Sequence, residues 1–253
     1  MILKLAHVTY SNINYKLAIN RLFELGYKLN IKEIDLYNSN IKKKLMTCYD
    51  ACHDLYLFSH DDHIDIEITQ YPNVGNTCSS YFPLMPHFFF DGESCNSNSP
   101  HNNKKEKDVF IQCPAYINNE INDRYFNTII YFVADLDSSV KFWNSLGFSL
   151  VTVENNYIML RLVNIFSTSD YHYDIILIKK EGINASNYLD DVGLNSISLL
   201  CSSLKTDVKN IQNFKHATDV DRIVVGSEKL LVMFIVGPNH EVVELYQIDS
   251  NNV

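Results

Sequence analysis

The sequence predicts an α+β fold made of repeated βαβββ modules. Three observations lead to this prediction. Short runs of β-branched residues alternate with polar ones, amphipathic helical segments end at glycines, and this order recurs along the 253 residues. The spacing also recurs, because the same number of residues separates His7 from Gly26 and Thr128 from Gly147.

The first module starts with LAHVTYS as a strand and NYKLAINRLFELG as a helix that ends at Gly26. Three strands are expected after it, at about 27–36, 54–59 and 63–70. One face of the last strand carries isoleucines: Ile64, Ile66 and Ile68. Glu67 lies on the other face, where a carboxylate taken alone is most simply a solvated side chain. A role for Glu67 therefore needs support from other residues.

The second module is eroded. Between residues 82 and 123 we expect a short strand at HFFFD, two closing strands within VFIQCPAYINNEIND, and a polar insertion at 91–107 where a helix would lie. The first two modules form a predicted N-terminal domain, 1–122, whose second module is shortened. The second predicted domain is 123–253.

The third module has TIIYFVAD as a strand, then a helix capped by Asp137 or Ser138 that ends at Gly147, and strands near 148–153, 157–163 and 173–179. The fourth has LNSISLLCSS as a strand and LKTDVKNIQNF as a helix. It closes with DRIVVG, KLLVMFIVG and HEVVELYQI as strands. The chain is therefore predicted to contain two tandem domains of two modules each.

Composition excludes several classes of function. A net charge of −9 and a pI near 5.4 argue against nucleic-acid binding, and no apolar span is long enough for a transmembrane helix. The six cysteines show no C-x-x-C spacing, which fits free thiols in a reducing compartment. We expect a cytoplasmic protein, or an organellar one if a targeting leader precedes this chain, and a monomer or homodimer.

Several strand and turn motifs of the sequence resemble those of a known family. HVTY, LFELGY, EITQYP, PHFFFD and FIQCPAYINNE in the first half, and FVADLDSSVKFWNSLGF and GPNHEVVELYQ in the second, are similar to strand and turn motifs of glyoxalase I. Glyoxalase I belongs to the vicinal oxygen chelate superfamily. The resemblance covers nearly the whole chain and implies the glyoxalase/bleomycin-resistance/dioxygenase fold, in its tandem-domain form.

The resemblance also implies a divalent metal, zinc or nickel, held by one side chain from the first strand and one from the last strand of each module. In this sequence those ligands would be His7, Glu67, His87 and Glu120. Imidazoles and carboxylates form a donor set that suits such ions. Glu120 would move the substrate proton, with Glu67 as its counterpart.

The C-terminal domain departs from that pattern. The positions that match the four ligands are Thr128, Ile176, Asn195 or Ser196, and Glu244. A single carboxylate does not hold a metal ion at useful affinity. We therefore expect this domain to be a structural partner, a dimer mimic or a binding cleft without metal.

The substrate positions depart as well. An arginine and an asparagine that meet glutathione in glyoxalases correspond to Ser11 and Tyr71 here. Three hypotheses follow. The chain is a metal-dependent carbon–sulfur lyase of the lactoylglutathione lyase type, which detoxifies methylglyoxal as its thiol adduct, or a non-catalytic binding or scaffold protein of the same fold. The third alternative is an extradiol-type iron dioxygenase that uses two histidines and one carboxylate.

Overall fold

A computed structural model gives the architecture of the chain. It describes residues 1–11, 15–73, 84–86, 127–155, 157–166, 172–181, 188–191 and 193–249. The predicted polar insertion and the HFFFD strand lie outside these residues, as do the two closing strands of the second module.

The described strands follow the predicted order. They are β1 Ile2–Ser11, β2 Lys28–Tyr37, β3 Cys52–Ser59, β4 Asp65–Gln70, β5 Leu84–Pro86, β6 Thr128–Val133, β7 Ser149–Val153, β8 Tyr157–Val163, β9 His172–Lys179, β10 Gly193–Cys201, β11 His216–Ala217, β12 Asp221–Val225, β13 Glu228–Val236 and β14 Val242–Ile248. The helices are α1 Tyr15–Glu24, α2 Leu136–Ser145 and α3 Leu204–Asp207, with 3₁₀ helices at Asn40–Leu45 and Val208–Asn210. None of the described helices is long and apolar enough to cross a membrane.

The larger sheet joins the first module to the last. Among the described residues its strand order is β11-β13-β14-β10-β1-β4-β3-β2, and β12 pairs with β13. β1 pairs with β4 in parallel and with β10 in antiparallel fashion. β10 in turn pairs with β14 in parallel. Strands from both predicted domains thus share one curled sheet, and the division at residue 122 stays a prediction.

The second sheet belongs mainly to the third module. In the described part of the chain its order is β5-β6-β9-β8-β7, with β6 and β9 in parallel. The short β5 from the second module pairs with β6, so it lies in this sheet and not beside β1.

The main hydrophobic core lies between the sheets and the two longer helices. It contains Ile66 and Ile68 of β4, Leu177 of β9, and the aromatic side chain of Trp143 on α2. Each of these side chains is almost fully buried. The predicted isoleucine face of β4 is therefore the core face, and Glu67 points to the opposite face of the sheet.

Two local predictions were wrong. The N-cap of α2 is Asp135, not Asp137 or Ser138, because the Asp135 carboxylate accepts a hydrogen bond from Ser138 N at 3.1 Å. The helix expected over 204–214 ends early: α3 has four residues and a 3₁₀ turn follows it. Asn213 then takes a positive φ of 60°, a conformation outside the right-handed helical region.

Candidate functional site

Three ionisable side chains meet in the middle of the larger sheet. His7 Nε2 lies 3.5 Å from Glu67 Oε2 and 3.7 Å from Glu244 Oε2. Each of the three side chains is only 13 to 14% exposed. We call His7, Glu67 and Glu244 the central cluster. Two of its members, His7 and Glu67, were predicted from the sequence, and the structure brings them together.

Strand register explains the position of the two carboxylates. Thr9 of β1 is paired with Glu67 of β4, and the Thr9 hydroxyl donates to Glu67 Oε1 at 3.2 Å. In the same way Ser198 of β10 is paired with Glu244 of β14, and the Ser198 hydroxyl donates to Glu244 Oε2. The first and last modules are thus related by an approximate twofold axis between β1 and β10.

The same symmetry identifies a fourth position beside the central cluster, on β10. His7 lies two residues before Thr9, so its counterpart is Ser196, two residues before Ser198. In the antiparallel pairing of β1 with β10, His7 is opposite Ser198 and Thr9 is opposite Ser196. A buried serine therefore occupies the position that corresponds to His7.

The environment separates the proton affinities of the two carboxylates. Burial raises the pKa of Glu67, and the nearby charge of Glu244 adds to the increase. Burial acts on Glu244 too, but the nearby His7 and a hydrogen bond from Ser198 outweigh it and lower the pKa of Glu244. For His7, burial favours the neutral ring, but the charges of both carboxylates outweigh it and raise its pKa. Glu67 is therefore the carboxyl group that takes up a proton more readily.

The central cluster lines a cavity of about 600 Å³ inside the curled sheet. Its walls are mostly aliphatic and come from both modules: Ile31, Leu55, Leu57, Ile223, Leu230 and Val232. Lys42 and Arg222 bring positive charge to the lining, and His53 brings a neutral imidazole. A volume of this size accommodates a small organic ligand.

Only two of the four predicted metal ligands lie within the described residues. His87 and Glu120 lie outside the described residues, so the set of His7, Glu67, His87 and Glu120 stays a prediction. Among the residues that the structure describes, no group of three or more His, Cys, Asp and Glu side chains is arranged to hold a metal ion. The central cluster has ligand types, and His7 Nε2 lies between the two carboxylates.

Comparison with solved structures identifies the fold. A glyoxalase I mutant from Zea mays superposes with a TM-score of 0.54 over 96% of this chain and 93% of that chain, at 11% sequence identity. The chain has the vicinal oxygen chelate fold. Two further structures have lower TM-scores and do not contribute to this assignment. They are glyoxalase I from Zea mays (TM-score 0.36, 13% identity, 96% of this chain and 67% of that chain) and a glyoxalase/bleomycin resistance protein/dioxygenase from Alicyclobacillus acidocaldarius (0.35, 16%, 49% and 91%).

No protein-family model and no curated protein sequence matches the chain. The motif resemblance to the vicinal oxygen chelate superfamily is therefore confirmed at the level of the fold. What the chain binds or converts has to be argued from its own residues.

Within this fold, Glu244 is the site residue that the sequence prediction missed. The sequence places it as the one acid among the four ligand-equivalent positions of the C-terminal domain, and a single carboxylate does not hold a metal ion. The sequence did contain a signal, because Pro238 precedes Glu244 by the same spacing that separates Pro114 from Glu120. The missing information was that the last module pairs with the first.

The two positions where the resemblance implies glutathione contacts are occupied differently. The Ser11 hydroxyl bonds the Thr69 hydroxyl at 2.7 Å and donates to the Leu189 carbonyl at 3.1 Å. Tyr71 is 2% exposed and its ring lies 5.3 Å from that of His53. Neither residue lines the cavity. Both are part of the packing around it.

The second sheet repeats the register of the first without the carboxylates of the central cluster. Ile130 is paired with Ile176 where the larger sheet pairs Thr9 with Glu67. Ile130 and Ile176 belong to an apolar cluster on that face. Thr128 and Ile176 therefore stand at the positions predicted from the spacing, and this face of the described chain carries no counterpart of the central cluster.

Proposed function

We propose that the chain is a glyoxalase-like enzyme that moves a proton between neighbouring carbon atoms of a small α-oxygenated carbonyl compound. The observation that supports this best is the central cluster, a buried imidazole between two carboxylates that line an apolar cavity. Two carboxyl groups with separated pKa values are typical of acid–base catalysis. The vicinal oxygen chelate fold is consistent with this class of reaction.

Each member of the cluster takes a distinct role. Glu67, as a carboxylate, would remove a proton from the carbon next to the substrate carbonyl and, after this proton exchanges with solvent, would deliver one to the adjacent carbon. His7, in its cationic form, would stabilise the negative charge that develops on the substrate oxygens. Glu244 would remain ionised and hold the His7 ring in its orientation. The reaction is an internal redox isomerisation, so it needs no external oxidant or reductant.

Lactoylglutathione lyase activity is the narrower form of this proposal. The resemblance implies it, together with zinc or nickel as the cofactor. The contacts of Ser11 and Tyr71 inside the protein argue that a thiol adduct would be recognised without the glutathione contacts of that family. We therefore propose proton transfer in a 2-oxoaldehyde–thiol adduct, with no requirement for glutathione as the thiol.

The test measures deuterium incorporation by NMR in D₂O, with methylglyoxal mixed with glutathione or with 2-mercaptoethanol. Each mixture is tested with the purified protein alone and with added nickel or zinc. We expect exchange with the 2-mercaptoethanol adduct that Glu67→Gln reduces by at least about 100-fold, in the range that general acid–base catalysis contributes. Glu154→Gln replaces an exposed acid that follows β7 of the other sheet, and this control should retain the wild-type rate.

Two outcomes would contradict the proposal. Exchange that is unchanged in Glu67→Gln would remove the assigned proton carrier. A folded wild-type protein that gives no exchange in either mixture, with or without metal, would leave a non-catalytic binding protein, the second hypothesis from the sequence.

A further inference from the structure

The cavity contains a second polar feature, at a distance from the central cluster. His53 of β3 lines the cavity and is only 2% exposed. Both of its ring nitrogens are buried, and neither has a hydrogen-bond partner within the described chain. A neutral imidazole offers one donor and one acceptor, and leaving both unpaired in the interior is costly. This side chain therefore points to a ligand group that pairs with it.

Lys42, on the 3₁₀ helix before β3, also lines the cavity. The contact that the structure gives its ammonium group is with the ring of Phe234, whose centroid is 5.6 Å away. No carboxylate in the described ranges forms an ion pair with it. Its charge acts on His53, because it helps to lower the pKa of that ring, and on Glu67 and Glu244. Lys42 thus lies within electrostatic range of both polar parts of the cavity.

Strand register separates His53 from the central cluster. Leu57 is paired with Glu67, and His53 is four residues before Leu57 on the same strand. At about 3.4 Å per residue, the two positions are about 14 Å apart along the strand. An anion near His53 is therefore well removed from the carboxylate of Glu67. The cavity wall between the two positions is aliphatic and includes Leu55.

We propose that the cavity takes an apolar organic carboxylate, whose anionic group lies between Lys42 and His53 and whose carbon skeleton extends along the aliphatic walls towards His7. The carboxylate pairs the cation of Lys42 and accepts from the His53 N–H. An extended chain advances roughly 1.2 Å per bond, so an eight-carbon skeleton with seven bonds reaches about 8 Å of that distance. This inference rests on the proposed function only in taking the same cavity as the substrate site.

The test is isothermal titration of the full chain with octanoate, octanamide and glutathione. Octanamide has the same apolar chain without the charge, and glutathione is anionic but polar. We expect saturable binding of octanoate, weaker binding of octanamide, and no measurable binding of glutathione at the same concentrations. The order of the three ligands separates recognition of an apolar anion from simple hydrophobic uptake.

Two variants test whether Lys42 contacts the carboxylate of the ligand. Lys42→Met keeps the length of the side chain and removes its charge, and we expect octanoate to bind roughly 10- to 100-fold more weakly, with octanamide little changed. Lys44→Met is the matched control, because Lys44 is exposed on the same 3₁₀ helix and does not line the cavity. Circular dichroism confirms that both variants are folded.

Equal octanoate affinities of Lys42→Met and Lys44→Met would overturn this proposal, as would tighter binding of glutathione than of octanoate. The result is independent of the exchange assay. Octanoate binding that depends on Lys42 in a protein without proton transfer would sustain this inference and refute the proposed function, and the reverse pattern would do the opposite.

Discussion

Replacement of His53 by phenylalanine is expected to reduce the loss of stability at acidic pH. His53 is buried, and burial together with the charge of Lys42 lowers its pKa from 6.5 to about 3. The folded protein therefore keeps this ring neutral at pH values where the unfolded chain protonates it. Stability contributed by the neutral ring is fully present above pH 6.5 and is lost as the pH falls towards 3.

The magnitude follows from proton linkage. Each pH unit below 6.5 costs about 1.4 kcal/mol as long as the folded ring stays neutral, so wild type should lose about 2.7 kcal/mol through this residue between pH 7.5 and pH 4.5. His53→Phe preserves a ring against Tyr71 and removes the titration. Other titrating groups are common to both proteins and cancel in the comparison.

The assay is urea unfolding at pH 7.5, 6.0 and 4.5, followed by the fluorescence of the buried Trp143, the one tryptophan of the sequence. The difference in unfolding free energy between the two proteins at pH 7.5 measures the change in packing. Its change with pH isolates the titration of His53. Parallel pH dependences for wild type and variant would refute the reasoning, because His53 would then not be a buried neutral ring.

Three further changes test the packing around the site by the same unfolding assay. Asp190→Ala removes a carboxylate that accepts three hydrogen bonds from the segment after the 3₁₀ helix, at 2.6 to 2.8 Å, and should cost about 2–4 kcal/mol. Asp135→Ala removes the N-cap of α2 and should cost about 1 kcal/mol. Gly237→Ala would bring a Cβ within 2.5 Å of Glu241 Oε2 and 2.8 Å of the Phe142 ring, and should cost roughly 1–3 kcal/mol.

Substitutions of exposed carboxylates serve as controls for the two aspartate variants. Asp219→Ala and Asp137→Ala replace exposed carboxylates and should each stay within about 0.5 kcal/mol of wild type. An Asp190 variant as stable as its control would show that its hydrogen bonds are replaced by water. A larger loss for Gly237→Val than for Gly237→Ala is expected if the close contacts at this position are the cause.

The parts of the fold that could be predicted are those that depend on local sequence. The alternation of Ile66 and Ile68, continued by Ile64 just before the strand, fixes one face of β4. The glycines after α1 and α2 take positive φ values of 87° and 91°, as helix ends do. These signals act over a few residues. They gave the order of the elements in the first, third and fourth modules, and they placed His7 and Glu67 on strands that turned out to be neighbours.

The partner of the first module could not be predicted in the same way. The free edge of β1 can form backbone hydrogen bonds with any strand of suitable length, and nothing in its own sequence selects β10 over a strand of the second module. That choice brings Ser198 and Glu244 to His7, and it places Ser196 at the position that corresponds to His7. The length of α3 was missed for a related reason, since helical periodicity does not show where packing ends a helix.

The second sheet provides an internal comparison for the central cluster. It has the parallel register of β1 with β4, yet it carries Ile130 and Ile176 in place of Thr9 and Glu67. The fold therefore forms with apolar residues at these positions. Buried carboxylates are expensive to desolvate, and apolar replacements of buried ionic groups are often neutral or stabilising. The acids of the larger sheet thus cost stability that the architecture does not require, which favours a chemical role for Glu67 and Glu244 over a structural one.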